Sequence, residues 1–141
     1  MAGSATVYTE RGVLGHTLAN TPLDMPAAVY LGLCVQAPIP TRSTGGQEVA
    51  GGGYARVLTP FALLSSPDNV AGNAVTVEFP AALAGWGTVA YFEVWDDLTA
   101  GNRLYWGPLV DPADGVTPIT RSVLTGDIVR FSAGVVQVTA T

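Results

Sequence analysis

Apolar and polar residues alternate most regularly in NAVTVEF, residues 73–79, where Val75, Val77 and Phe79 share one face and Ala74, Thr76 and Glu78 the other. A period of two marks a strand with one face buried. In WGTVAYFEVW, residues 86–95, both faces are apolar: Trp86, Ala90, Phe92 and Val94 fall on one, Val89, Tyr91 and Trp95 on the other. That pattern belongs to a central strand, or to one whose outer face meets a partner. Residues 28–35, 54–63, 103–110, 119–124, 127–133 and 135–140 read as further strands, and Gly, Pro, Asn or Asp separates nearly all of them. The spacing predicts an all-β fold, an antiparallel β-sandwich or jelly-roll-like barrel. Helical spacing occurs once, in TERGVLGHTLAN, where Val13, Leu14, Thr17 and Leu18 follow a Thr9 cap and two glycines weaken the pattern. One short amino-terminal helix is therefore expected.

Punctuation is densest in QAPIPTRSTGGQEVAGGG, residues 36–53, a loop long for a compact domain and thus a candidate interface. This loop and residues 1–10 are expected to be extended or to become ordered on binding. Arg42 lies in the loop, and Gly51, Gly52, Gly53, Tyr54 and Arg56 close it; these six are the candidate partner-binding residues. Consecutive glycines permit positive φ and close approach of a neighbouring backbone. A backbone role is favoured over a nucleotide-binding one: the chain has no lysine, which rules out a phosphate loop, and YARVLTPF after the glycines reads as a strand where dinucleotide binding needs a helix.

Composition sharpens the picture. A chain of 141 residues suits one domain, residues 1–141. Only 12 % of its residues are charged while 48 % are hydrophobic. The charged share is about half that of an ordinary domain, so much of the exterior is neutral or apolar and is expected to lie against other chains. A net charge of −5 disfavours direct binding of nucleic acid. All six basic residues are arginine, which serves bidentate interface contacts and equally reflects an arginine-biased genome. No apolar run reaches the length of a membrane span, and the amino terminus lacks signal-peptide features, so synthesis in the cytoplasm is expected.

Catalytic and cofactor chemistry is sparse. His16 and Cys34 are the only residues of their kinds, so a zinc site would need carboxylates to complete it, and Cys34 in AVYLGLCV reads as a buried small hydrophobe. Asp96, Asp97 and Asn102 could offer oxygens to calcium, but like Asp111 and Asp114 they read first as turn residues. Trp86, Trp95, Trp106, Tyr91 and Tyr105 could form a sugar-stacking platform, with core or subunit packing the stronger reading. Glu93 and Asp96 are the only carboxylates worth testing as a glycosidase pair. No enzyme, cofactor or metal is expected.

The order of PAAVYLGL, EVAGGGYARV, NAVTVEFPAA, WGTVAYFEVWD, GNRLYWGPL and GDIVRFSAG, after a short helix, resembles a family of small virion proteins of tailed double-stranded-DNA bacteriophages. Its members are labelled head-decoration or tail-fibre proteins. The chain departs from the family in carrying Tyr91 where a histidine is common and in a longer stretch over residues 109–124. The resemblance implies a non-enzymatic building block. The first expectation is a capsid cement protein on the virion exterior, binding the major capsid protein and associating as a dimer or trimer. The alternative is a tail-fibre or baseplate component that contacts the host surface.

Overall fold

A computed structural model of the chain describes residues 2–38 and 45–139. In chain order the elements are β1 (Ala2–Ala5), α1 (Val7–Leu18), β2 (Tyr30–Pro38), β3 (Gly45–Glu48), β4 (Val57–Leu58), β5 (Phe61–Leu63) and β6 (Val70–Asn73). Then follow β7 (Val77–Glu78), β8 (Gly87–Val89), β9 (Tyr91–Trp95), β10 (Arg103–Pro108), β11 (Arg121–Val123), β12 (Arg130–Phe131) and β13 (Gln137–Thr139). The all-β class with one amino-terminal helix is as the sequence implied. Nine strands form one sheet in the order β3-β2-β9-β10-β1-β13-β6-β5, with β4 also paired to β2, and this sheet curls into a half-barrel. Two short ribbons, β11-β8 and β12-β7, complete the fold.

The core lies between the curled sheet and the ribbons. Leu31, Leu33, Phe92 and Val94 enter it from β2 and β9, and Val77, Phe79, Val89, Val123, Val129 and Phe131 come from the ribbon side. Phe79 stands edge-on to Trp86 and Phe131, with ring centroids 6.4 Å apart in each pair. Edge-to-face aromatic packing of this kind stabilises beyond the area it buries.

The structure adds a strand and changes two sequence expectations. Residues 2–10 form β1 and the first turn of α1. β1 lies inside the sheet, antiparallel to β10 and parallel to β13. Its AGSA sequence has no alternation to betray it, yet smallness is what the position requires: a Cβ on Gly3 would sit 2.8 Å from the Trp106 carbonyl oxygen and 2.9 Å from Phe92 Cζ. The helix cap is Thr6, not Thr9. Thr6 is fully buried, donates its hydroxyl to the Arg103 carbonyl at 2.7 Å and accepts from the Thr9 amide. In NAVTVEF, Val77 and Phe79 are buried but Val75 is 49 % exposed, because only Val77–Glu78 pair as a strand.

Candidate interaction site

The triple glycine is a left-handed bend, with φ of +75°, +60° and +78° at Gly51, Gly52 and Gly53. Non-glycine residues avoid this region. The close approach it permits is to the chain itself. The Gly52 carbonyl accepts from Trp86 Nε1 at 2.8 Å and from the Leu83 amide at 2.9 Å. A Cβ on Gly52 would meet Trp86 Cδ1 at 2.9 Å, and one on Gly53 would meet Leu83 Cγ at 2.8 Å. Gly51 alone faces open space.

Tyr54 and Arg56 follow the bend and converge on Glu48, which precedes it. The Tyr54 hydroxyl donates to Glu48 Oε2 at 2.6 Å and accepts from the Leu33 amide at 2.9 Å. Arg56 grips the same carboxylate with two bonds, Nε to Oε2 at 2.9 Å and a terminal nitrogen to Oε1 at 2.8 Å. Its other terminal nitrogen donates to the carbonyls of Asp97 and Ala100, and its guanidinium lies 3.8 Å from the centroid of the Trp95 ring. Burial and the neighbouring Glu48 charge both push the Tyr54 hydroxyl far above its ordinary range. Burial works against the Arg56 cation, but the hydrogen bonds and charge of Glu48 outweigh it and hold the group raised. Both side chains are thus engaged within the fold, where they tie the bend to the 97–101 turn. Glu48 is the hub that sequence reading missed. Its signal was an acid six and eight residues ahead of a tyrosine and an arginine, across a glycine bend. Arg42, the remaining candidate, lies outside the described residues.

A second ion pair sits deeper. Glu93 on β9 and Arg103 on β10 approach at 3.1 Å with side chains 1 % and 2 % exposed. Burial pushes the Glu93 carboxyl up, and Arg103 opposes the shift without cancelling it. The other polar candidates resolve into turns. Asp96 accepts from the amide and side chain of Asn102, and Asp114 accepts from the amides of Val116 and Thr117 and from the Thr117 hydroxyl. His16 Nδ1 accepts from the Leu23 amide at 3.3 Å. Among the described residues no cluster of His, Cys, Asp or Glu could hold a metal ion. Of the aromatics proposed as a platform, Trp86 is buried in the core and Tyr91 packs on Trp106 with centroids 6.0 Å apart.

Several of the side chains left open to a partner are large and apolar. Beside the glycine bend, the turns around residues 82–86 and 123–127 are laced by backbone bonds, Gly126 to Ala82 at 2.7 Å and Ala82 to Asp127 at 2.9 Å. From this end Leu83 and Leu124 stand 76 % and 66 % exposed. Two grooves indent the surface elsewhere. One of about 410 Å³ runs between Val89, Leu109, Ile119 and Phe131 with Arg121 at its side. The other, about 300 Å³, lies between Val29, Phe61, Leu63 and Tyr105 with Asp68 beside it.

No curated protein matches the sequence. One family model, described as podophage GP4 fiber I protein gp80, matches residues 4–139. The match takes in α1, the glycine bend with its Glu48–Arg56 clasp, the Glu93–Arg103 pair and both grooves. Covering nearly the whole chain, it places this protein in the podophage GP4 fiber I protein gp80 family, a family of phage virion structural proteins.

Proposed function

We propose that the chain is a non-enzymatic packing subunit of a podophage virion fibre, present in several copies and held to its neighbours by surface fit. The observation that carries this reading is where its few charges lie. Arg56, Arg103 and Arg130 are each ion-paired inside the chain, to Glu48, Glu93 and Glu78. The exterior carries that last pair and, with it, Leu18, Met25, Leu63 and Leu83, each more than three quarters exposed. Isolated exposed apolar residues are ordinary, but so many on a surface so poor in charge fit a chain that lies against others in its working state. The family description supports the fibre position.

A second reading keeps the chain on the head exterior as a cement that bridges copies of the major capsid protein. The absence of stalk repeats in the sequence favours it. A protein that binds only the assembled shell stabilises it by mass action, multiplied over many sites. Copy number separates the two. Quantitative gel analysis of purified particles, with immunogold labelling, is expected to find a handful of copies at the tail. Hundreds of copies spread over the head would reject the fibre reading in favour of the cement.

A further inference from the structure

This chain has two unpartnered surfaces, one the exposed face of a helix and the other a groove. The first is the outer face of α1. At 3.6 residues per turn, Thr9, the buried residue of the helix, and Leu18 lie on opposite sides. Arg11, Leu14 and Leu18 therefore form an i, i+3, i+7 stripe that faces away from the sheet. Leu14 is 56 % and Leu18 81 % exposed. The concave surface is the 300 Å³ groove between Val29, Phe61, Leu63, Leu104 and Tyr105, whose one carboxylate is Asp68. Leu104 joins the two: its side chain lines the groove, while its carbonyl accepts from the Thr6 amide at 2.9 Å and the Thr9 hydroxyl at 2.8 Å, where α1 begins.

Charge selects the occupant. Among the described residues Arg11 and Arg121 are the arginines without a carboxylate partner, and Arg121 lines the other groove. That leaves Arg11, on the exposed stripe, as the cation to match Asp68. The stripe points away from its own sheet, so only a second copy brings it to the groove. We propose that the chain forms a twofold dimer in which the Arg11–Leu14–Leu18 stripe of each copy lies in the other's groove, with Arg11 against Asp68. Because each copy offers both a stripe and a groove, the two equivalent contacts can form across one axis, as an isologous interface requires. Stripe spacing and apolar groove together match the helix-in-groove mode of recognition. The inference deepens the packing-subunit reading and rests on it for its purpose.

Sedimentation velocity of the purified full chain across a concentration series tests it. The wild type is expected to sediment as a dimer at high concentration. Arg11→Asp and Asp68→Arg should each weaken the dimer by more than about tenfold, and the double reversal Arg11→Asp/Asp68→Arg should restore most of the loss. Leu18→Asp should abolish association. These side chains make no internal ion pairs, so thermal melts at concentrations where the wild type is monomeric are expected to stay at the wild-type value and to show that each variant is folded. A wild type that stays monomeric at every concentration, a trimer, a Leu18→Asp dimer of unchanged strength, or a double reversal no better than the singles would each overturn the proposal. None of these results bears on copy number in the particle, so the dimer and the virion role fail separately.

Discussion

Replacing each glycine of the bend with alanine, one at a time, separates backbone strain from close packing. All three residues have positive φ. An L-residue there costs roughly 1–2 kcal/mol, part of which alanine recovers by stiffening the unfolded chain. At Gly51, where the new Cβ meets nothing within 4 Å, strain is the whole effect, about 1 kcal/mol. At Gly52 the Cβ would lie 2.9 Å from Trp86 Cδ1 and 3.0 Å from the Ala84 carbonyl oxygen. Relieving that overlap displaces Trp86, a core residue 5 % exposed, or the carbonyl that accepts from it and from Leu83. Each bond lost costs about 1 kcal/mol, which brings Gly52→Ala to about 3 kcal/mol. Gly53→Ala falls between them, because the Leu83 side chain it meets is exposed and free to swing.

Melting temperature should drop by about 4 °C per kcal/mol in a chain of this size. Urea and thermal unfolding of the isolated protein should therefore rank the variants Gly51, Gly53, Gly52, from mildest to most severe. Near-ultraviolet circular dichroism should show Trp86 disturbed only in the Gly52 variant. If Gly51→Ala costs as much as Gly52→Ala, the contact with Trp86 contributes nothing and the reasoning fails. At Gly52 and Gly53 the space beside the bend is taken by the chain's own 83–86 turn.

Two further perturbations test the charged groups. Glu93→Gln leaves the Arg103 cation buried without its counter-charge and is expected to destabilise by about 3–5 kcal/mol, while the double change Glu93→Leu/Arg103→Met should recover most of that loss in urea unfolding; a double variant as unstable as the single would contradict this account. Asp114 has its carboxyl held down to about 2 from an ordinary 3.8, first by the Thr117 hydroxyl and then by the Thr117 and Val116 amides. Its folded-state pKa is the lower one, so its contribution is present above pH 3.8 and lost as pH falls toward 2; carboxyl NMR titration should find that value, and Asp114→Asn should remove the transition from the Val116 and Thr117 amide shifts.

The sequence showed the fold wherever burial follows alternation, and hid it wherever the backbone changes partners. Residues 86–95 read as one strand, yet β8 pairs with β11 and β9 with β2 and β10. The switch falls at Ala90, whose amide donates to Cys34 and whose carbonyl accepts from Leu109. Gly87, at φ +85°, bends the chain just before it. Val89 and Trp86 are therefore buried together although strict alternation assigns them opposite faces. β1 and β6 were illegible for another reason: AGSA and VAGN are only four residues long and rich in Ala, Gly and Ser, which carry no hydrophobic period. At the candidate site, the backbone role of the glycines was readable from their number. That Tyr54 and Arg56 turn inward was not, since it depends on Glu48 being returned to them by the pairing of β3 with β2.

The buried pair gives this arrangement a purpose beyond stability. Removing two charges from water costs about as much as their attraction returns, so Glu93–Arg103 adds little net stability over an apolar pair of equal volume. What it offers is a penalty on alternatives. Arg103 stands opposite Trp95, and the β9–β10 register shifts between Arg103 and Tyr105. A slip of β10 along β9 would part the charges while leaving both buried, whereas an apolar pair would tolerate it. Such a slip would also carry Leu104 with it, and Leu104 both anchors the start of α1 and lines the groove beside it. Charge spent inside the sheet in this way fixes the spacing of stripe and groove outside it. A surface poor in charge can then select neighbours largely by shape, because a misplaced neighbour meets little long-range attraction to hold it.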